Sequence, residues 1–539
     1  MNYKCTFNNF FLPAMKNRPI VWGILLGLAA SSHTYAQSRL YSNTAMQLSN
    51  LTQNGTARFQ GVGGNHASLG GDASNIFGNP AGIAFFNRSE ISLSPTFYSI
   101  NNESSYIGNT RSDQKLNPNL SQFSLILAGN PQSYNREWRR TSFGISYSRQ
   151  VNANNMITYG GTNNRSSMID NIAELATGLS VKTLEDEYNN SRPFSIESAF
   201  YNLYQIDALS DNGPYRRPIP LSRASFEQSG NIEVSGGSSQ WTFAYAGNYA
   251  DKLYLGISGG FSRHTFIRRN NYTERFVNGG SFRGLDYRED VNISGSGLFI
   301  SAGVIYKPNA MLQLGASIHS PTFSNLQMTY QEEVGIDILN NRVPVYDSNG
   351  NPVTNAQGQQ AYDQIVTTRV NLEPYDFEYK MRTPLRATGG ITLFIGKKGF
   401  ITGSAEYVGY KGMGISTADD NQFKTNNKRL IQSSYNNVVN LRVGGEARLD
   451  KFRVRAGVAF FPNAYSQNYN VEGSLDRSKI QFSGGLGYRT ERFYVDLAGT
   501  YLQTKDAYSP YQLSDPSNYF SAKLNVNSLN FTGTVGLFF

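Results

Sequence analysis

Cysteine is nearly absent from this chain of 539 residues, in which Cys5 is the only one. A disulfide framework or a thiolate metal site needs several cysteines, so the sequence excludes both. Histidine is also scarce, and only His66, His264 and His319 lie beyond residue 36. Neither a His-Glu-x-x-His zinc motif nor a phosphate-binding loop ending in Lys-Ser or Lys-Thr occurs. We therefore expect no metal site, no cofactor and no enzymatic activity.

Long apolar runs are confined to the first 36 residues. There, Lys16 and Arg18 precede an apolar stretch at 20–30, and small residues follow up to Ala36. This order of charged region, apolar core and cleavage site predicts a signal peptide that ends at Ala36, with Met15 as an alternative start. Farther along, no apolar run approaches the ~20 residues that a membrane-spanning helix requires.

Acidic residues are outnumbered by basic ones, and the formal net charge is +9. The signal peptide holds three basic residues and no acidic one, so the remaining chain carries +6. A basic excess of this size is a weak indication of nucleic-acid binding, and an exported chain rarely meets nucleic acid. We expect no nucleic-acid partner.

Aromatic residues and glycine are plentiful, with 34 Tyr, 33 Phe and 52 Gly. The mean hydropathy of −0.42 is that of a soluble protein. Membrane β-barrels, however, hide their hydrophobicity in alternation and place aromatic residues in girdles at the membrane interfaces. The composition is therefore compatible with a membrane barrel.

Strand-length segments with alternating apolar and polar residues fill residues 89–539. In the first segment, Ile91 and Leu93 alternate with serines. Tight turns such as 396–399 and 450–451 alternate with long polar joins. This pattern predicts an all-β fold: a transmembrane antiparallel β-barrel of about fourteen strands, with its short turns on the periplasmic side of the outer membrane.

A segment at 61–84 precedes the strands and differs from them. It is rich in Gly, Ala, Ser and Asn, which disfavours a long helix, and it is too short to form its own core. Because Leu69 and Ile76 still need cover, we expect residues 37–88 to be a plug, or hatch, inside the barrel of residues 89–539.

Three hatch features carry specific expectations. Asn79 and Pro80 fix a turn, because the residue before a proline is restricted to extended geometry. This turn is either a hinge or a rigid element. Asp72 is expected to hydrogen-bond basic side chains that face the lumen.

The longest loop, at 153–235, is too long to be structureless. Its sequence predicts two amphipathic helices, one beginning at Ser195 and one near Ser167. The first carries an apolar stripe: Ile196, Ala199, Phe200, Leu203 and Ile206. Either Ile196, Phe200 and Leu203 line an exterior groove where an apolar substrate first binds, or the helices pack on each other and cap the barrel.

Two single residues carry further expectations. Gly144 in the third strand is a candidate position for a kink in the wall. The chain ends at Phe539, and a terminal aromatic residue resembles the signal that the outer-membrane barrel assembly machinery recognises. The alternative is that Phe539 is an ordinary girdle aromatic.

The sequence resembles the FadL/TodX family of outer-membrane transporters for long-chain fatty acids and hydrocarbons. The resemblance rests on three blocks: Asn79-Pro80-Ala81-Gly82 preceded by Gly71-Asp72-Ala73-Ser74, then Gly295-Ser296-Gly297-Leu298 followed by 302–308 and 314–317, and Arg382-Thr383-Pro384. It implies a monomeric fourteen-stranded barrel with a hatch whose gating residues are Asp72, Asn79, Pro80, Ala81 and Gly82. It also implies a hydrophobic small-molecule substrate that crosses passively and leaves sideways into the membrane lipid.

Two alternatives remain open at this point. The barrel is a general porin or a sealed structural barrel, or it takes up haemin through its histidines. The hatch is too small to be the plug domain of an active, TonB-coupled transporter.

Overall fold

The computed structural model describes residues 39–129, 137–189, 195–218, 225–345, 353–418, 420–469 and 471–539. The predicted cleavage site after Ala36 lies outside them. Fourteen antiparallel strands close into one barrel, because β1 pairs with β2 on one side and with the last strand on the other. The predicted fold and strand number are confirmed.

The strands follow one another around the barrel in chain order. They are β1 (Glu90–Tyr106), β2 (Asn109–Ala128), β3 (Trp138–Asn152, continued by Asn155–Asn163), β4 (Ser225–Tyr249), β5 (Leu253–Val277), β6 (Phe282–Tyr306), β7 (Leu312–His319, continued by Phe323–Ile338), β8 (Tyr375–Arg382, continued by Arg386–Phe394), β9 (Gly399–Val408, continued by Gly414–Ser416), β10 (Val438–Leu449), β11 (Phe452–Phe461), β12 (Lys479–Arg489), β13 (Phe493–Tyr508) and β14 (Ala522–Phe538). Five short strands lie in the extracellular loops of the described chain: Asp207–Ala208 paired with Tyr215–Arg216, Arg342–Pro344 paired with Tyr362–Gln364, and Arg369–Asn371, which pairs with the outer piece of β7.

Large apolar side chains point outward from the part of every strand that is nearer to the short turns. Examples are Ile257, Leu298 and Leu497, which are 60 %, 67 % and 59 % exposed. Such a belt of exposed apolar residues is stable only against lipid, and antiparallel barrels of this kind belong to outer membranes. β4, β5 and β6 have 25 residues each and rise far beyond the belt on the side of the long loops.

The helices lie in the lumen and on the extracellular side. They are α1 (39–49), α2 (Ala57–Gly61), α3 (Met168–Ala176), α4 (Val181–Asn189), α5 (Ile196–Asn202) and α6 (Asn421–Ser434), with short 3₁₀ turns at Ala73–Ile76, Pro80–Phe85, Leu339–Asn341, Tyr410–Gly412 and Pro516–Asn518. None of the described helices is long and apolar enough to cross a membrane.

Both predicted loop helices are present. Ser167 and Asp170 form a capping box at the start of α3, and the Ser195 side chain caps α5. α3 is anchored to β5 by the buried Glu274, whose carboxylate accepts hydrogen bonds from the Ser167 hydroxyl and, at 2.8 Å, from the Met168 backbone N–H. α3 is therefore attached to the extended part of β5, and we call α3, α4 and α5 together the extracellular cap.

Candidate functional site

Part of the predicted 37–88 segment, residues 54–86, runs around the inner wall in the periplasmic half of the barrel. From here on, hatch means these residues 54–86. The hatch fits there because wall glycines leave room for it: a Cβ atom at any of seven positions would collide with hatch atoms. These are Gly144, Gly256, Gly303, Gly315, Gly390, Gly444 and Gly457. Much of the glycine content of the strands is thus explained by the close approach of a second chain segment.

The Asn79-Pro80-Ala81-Gly82 turn sits on β5, β6 and β7. The Asn79 Nδ2 donates to the Ala67 carbonyl at 2.5 Å and to the Val304 and Ala316 carbonyls at 3.3 Å. Its side chain lies against Gly303, and the Pro80–Ala81 backbone lies against Gly256. Two sequence blocks that the family resemblance rests on are therefore the two sides of one hatch–wall contact.

The opposite end of the hatch is held by charge. Arg58 of α2 lies 3.5 Å from Glu446 of β10, which also pairs with Arg448 at 2.9 Å and Arg455 at 2.8 Å. Arg455 pairs in turn with Asp496 of β13 at 2.6 Å. Apart from Arg448, these side chains are almost fully buried, so they form one low-dielectric ion network that ties α2 to the wall.

Asp72 belongs to the hatch end of this network. It lies 3.8 Å from Arg58, which is a hatch residue and not part of the wall. Its carboxylate mainly caps the turn at Ala73–Ile76, by accepting from the Ser74 N–H and the Thr56 hydroxyl at 2.9 Å. Among the described residues, Asp72 therefore forms no ion pair with a basic side chain of the wall. Its contact with the ion network goes through Arg58.

A cavity of about 150 Å³ lies between α1 and the hatch, on the extracellular side of the hatch. Its apolar lining comes from the chain after α1, from the hatch and from the wall: Leu48, Leu51, Phe59, Phe77, Phe299 and Phe461. An apolar protein cavity of this volume holds one benzene molecule. The cavity is therefore matched to a small apolar group.

One side of the cavity carries an ion triad with excess positive charge. Glu406 of β9 pairs with Arg386 at 3.1 Å and with Arg442 at 2.7 Å. Arg386 also donates to the Ser49 carbonyl at the end of α1, at 2.6 Å. The Arg442 Nη1 is buried and makes no hydrogen bond with any described residue. One guanidinium donor of the triad is thus left unpaired among the described residues.

All three histidines beyond the signal peptide line the same cavity. The His264 Nε2 bonds to the Ser262 and Ser324 hydroxyls at 3.1 and 3.0 Å. Burial, with a smaller effect of Arg442, lowers the pKa of His66 in the hatch to about 4, which leaves this imidazole neutral at physiological pH. Among the residues that the structure describes, no group of three or more His, Cys, Asp or Glu side chains is placed to hold a metal ion.

The wall is interrupted between β2 and β3, beside the cavity. The β2–β3 ladder ends at Gln122 and Ser148, and the continuation of β3 bends over the inner face of β1, where Asn102 donates to the Met156 carbonyl at 2.6 Å. We call this the first wall break. Thr52 fills it from inside, since its N–H donates to the Gln150 carbonyl at 2.9 Å.

A second wall break crosses β7, β8 and β9 at one level, at 320–322, 383–385 and 409–413. The β7–β8 register is the same on both sides of the break, so Pro321 lies opposite Pro384. Neither proline has an N–H to donate to the ladder. The strands stay joined beside them, because the Thr383 N–H donates to the Thr322 carbonyl at 3.1 Å and the Gly409 N–H to the Leu385 carbonyl at 3.0 Å. Pro384 also lines the cavity.

The structure places the remaining predicted residues as follows. Phe200 and Leu203 are fully buried in the extracellular cap and Ile196 is partly buried, so none of them lines an open groove in this conformation. Phe539 is exposed and closes the barrel, because its N–H donates to the Ser89 carbonyl at 3.0 Å. Both functional predictions for these residues stay predictions.

The predicted kink at Gly144 is wrong. Gly144 pairs with Ile126 on one side and Ala244 on the other, and its missing side chain leaves room for Ile76 of the hatch. The third strand loses its pairing with β2 only after Ser148, and its pairing with β4 continues to Asn152. Sequence reasoning also missed α1, the two ion networks and the facing prolines; the one readable signal was the spacing of Tyr41, Ala45 and Leu48 in α1, which are all buried.

Known proteins of the same shape are outer-membrane barrels. The chain matches the crystal structure of a Pseudomonas aeruginosa FadL homologue with 13 % identity and a TM-score of 0.50, over 90 % of this chain and 99 % of that one. The toluene transporters TodX of P. putida and TbuX of Ralstonia pickettii cover the same shares, with 12 % and 13 % identity and TM-scores of 0.47 and 0.44. No family model and no curated protein matches the sequence. The first likeness confirms the FadL-type fold.

Proposed function

We propose that this FadL-type barrel carries hydrophobic small molecules across the outer membrane by passive, hatch-gated diffusion, with sideways release into the lipid. The observation that carries the proposal is the cavity between α1 and the hatch, which is lined by aromatic residues and leucines and lies against the first wall break. A FadL homologue shares the fold, which supports a hydrophobic substrate.

Gating and release are joined in one segment. Leu51 and Thr52 line the cavity, and Thr52 also fills the first wall break through its bond to Gln150. A substrate that displaces this segment would therefore open a path from the cavity to the lipid. Burial of apolar substrate surface drives binding, at about 0.8 kcal/mol per CH₂ group.

The first experiment is uptake of labelled oleate and labelled toluene by cells that contain or lack the protein. We expect the protein to accelerate uptake of at least one of them. Equal uptake, together with conductance for small hydrophilic solutes in planar bilayers, would favour a general porin. Haem absorbance that disappears in His66→Ala would favour the haemin alternative.

Sideways release is tested with Thr52→Pro, which removes the N–H that holds the segment in the first wall break. We expect faster uptake of the hydrophobic substrate and no leak of hydrophilic antibiotics, because the path leads into lipid. Thr52→Ser, which keeps the N–H and the hydroxyl, is the matched control. A leak of hydrophilic solutes in Thr52→Pro would instead indicate a pore through the hatch.

Arg442 decides between an acidic and a neutral substrate. A carboxylate bonded to its free Nη1 would gain a charge-assisted hydrogen bond worth about 1.5–3 kcal/mol, which corresponds to about 10–100-fold in affinity. We expect Arg442→Met to slow uptake of dilute oleate by such a factor and to leave toluene uptake unchanged. An equal loss for both substrates would show that Arg442 only stabilises the wall.

The loop groove at Ile196, Phe200 and Leu203 stays part of the proposal as the first landing site. Because Phe200 and Leu203 are buried, a substrate would reach them only when α5 moves away from the cap. Replacing Phe200 and Leu203 by Asp should then abolish uptake from dilute substrate while the barrel still assembles. Unchanged uptake would contradict this part of the proposal.

A further inference from the structure

A basic groove of about 450 Å³ lies on the outer side of the wall, beyond the second wall break. It is bounded by β7, by the outer piece of β8, by Gly414–Ser416 of β9 and by α6. Four of its lining side chains are cationic and exposed: Lys380, Arg382, Lys424 and Lys428. We call this space the basic groove and these four residues its cations.

Within the part of the chain that the structure describes, the four cations of the basic groove form no ion pair. Arg382 donates to the Gly412 carbonyl at 3.0 Å. The nearby Asp420 is occupied as the cap of α6, where it accepts from the Phe423 N–H at 2.8 Å. Glu378 lies two residues from Lys380 on the same outward face and is the acidic neighbour along the strand.

The spacing of the two lysines in α6 favours an anion in the groove. Lys424 and Lys428 are four residues apart, so they are neighbours on one face of α6, and a like-charge pair at this spacing destabilises a helix. Two further cations face them from β8. An anion in the groove would relieve this repulsion, whereas no contact within the described chain does so.

The position of the groove identifies the source of the anion. The exposed apolar residues next to the second wall break are Phe323 of β7, Leu385 between the two pieces of β8 and Tyr407 of β9, which are 59 %, 38 % and 40 % exposed. Tyr375 lies farther out on β8 and is also 40 % exposed. The basic groove begins directly beyond them, and Phe323 itself forms part of its lining. This is the depth at which acyl chains end and lipid headgroups begin.

We propose that the basic groove binds the anionic phosphate headgroup of a membrane lipid, whose acyl chains lie along the apolar belt below it. The cations bind the phosphate, and Phe323 contacts the first part of the acyl chains. This site is independent of the cavity, so it does not rest on the proposed transport function.

The test uses the purified full-length barrel in nanodiscs that contain phosphatidylglycerol or phosphatidylcholine with identical acyl chains. Native mass spectrometry after release into detergent counts the lipids that stay bound. We expect a preference for phosphatidylglycerol that falls about tenfold or more in Lys424→Gln/Lys428→Gln, because each basic residue near an anionic surface contributes to lipid attraction. Lys397→Gln/Lys398→Gln in the exposed periplasmic turn is the matched control and should keep the preference.

Several outcomes would overturn the proposal. They are equal retention of both lipids by the unmodified protein, the same preference in Lys424→Gln/Lys428→Gln as in the control, or complete displacement of the lipid by inorganic phosphate. Binding of polyglutamate without any lipid preference would indicate an acidic protein partner instead. Resistance to unfolding by detergent at room temperature verifies that both variants are folded.

Discussion

The two ends of the hatch are held to the wall by different physics. At residues 54–61, the contacts are polar: Arg58 joins the ion network, and the Gln60 Oε1 accepts from Asn530 and Thr532 at 3.0 and 3.1 Å. At residues 76–86, the contacts are mainly apolar and close-packed, apart from the hydrogen bonds that Asn79 donates to the Val304 and Ala316 carbonyls. Ile76 and Ile83 are fully buried in a cluster with wall residues, and the Phe85 ring stacks on Tyr254 at 3.8 Å.

This difference indicates which end can detach. Water or a ligand can replace the partners of a polar contact, whereas separating a close-packed apolar surface leaves a void that costs free energy in proportion to its size. The polar end is also next to Thr52, which fills the first wall break. We therefore expect opening to begin at residues 54–61, while the Asn79–Gly82 turn stays as the fixed point.

The largest expected effect comes from Glu446→Gln. This change leaves Arg58, Arg448 and Arg455 with too few carboxylates in a buried site, and removing one partner of a buried ion pair costs about 3–5 kcal/mol. We expect that loss in the free energy of unfolding in detergent. We also expect faster hydrogen exchange at 54–61 and none of this increase at 76–86.

Two comparisons make that result decisive. Glu491→Gln, in an exposed periplasmic turn, removes the same charge without burial and should change neither quantity. If exchange in Glu446→Gln rises equally at both ends, the hatch moves as one body and the distinction between its ends is wrong.

The part of the fold that the sequence predicted is the part with a local signal. Alternation is a property of neighbouring residues, so the tight turn predicted at 450–451 lies where it is observed, between β10 and β11. The helix starts at Ser167 and Ser195 were equally readable, because a cap and its apolar stripe lie within one or two turns.

The rest depends on partners far apart in the chain. Arg58 and Glu446 are separated by almost four hundred residues, and nothing local marks either as a partner of the other. Gly144 shows the opposite error: it was interpreted as the position of a kink, whereas its missing side chain leaves room for Ile76. Pairing with β2 ends after Ser148, where the Gln150 carbonyl accepts from the Thr52 N–H, and no pattern within β3 reveals this distant partner.

An intermediate effect is expected from Gly303→Val, at the apolar end of the hatch. The new side chain would collide with the Asn79 side chain, and overpacking of a filled interior costs about 1–3 kcal/mol. We expect this loss in the free energy of unfolding, with faster hydrogen exchange at 76–86.

The control for this change is Gly389→Val on β8, where a Cβ atom meets nothing within 4 Å. It should be close to neutral. Faster exchange at 54–61 in Gly303→Val would show that the apolar end supports the polar one, contrary to the separation argued above.

The smallest effect concerns Asp72, which belongs to both a cap and a charge network. Asn is as good a capping residue as Asp, so Asp72→Asn keeps the bond to the Ser74 N–H and removes only the charge 3.8 Å from Arg58. We expect Asp72→Ala to lower the free energy of unfolding by about 1 kcal/mol and Asp72→Asn by less than half of that. Equal losses in the two variants would mean that the Arg58 charge dominates, and that the ion network of the polar end extends into the hatch as far as Asp72.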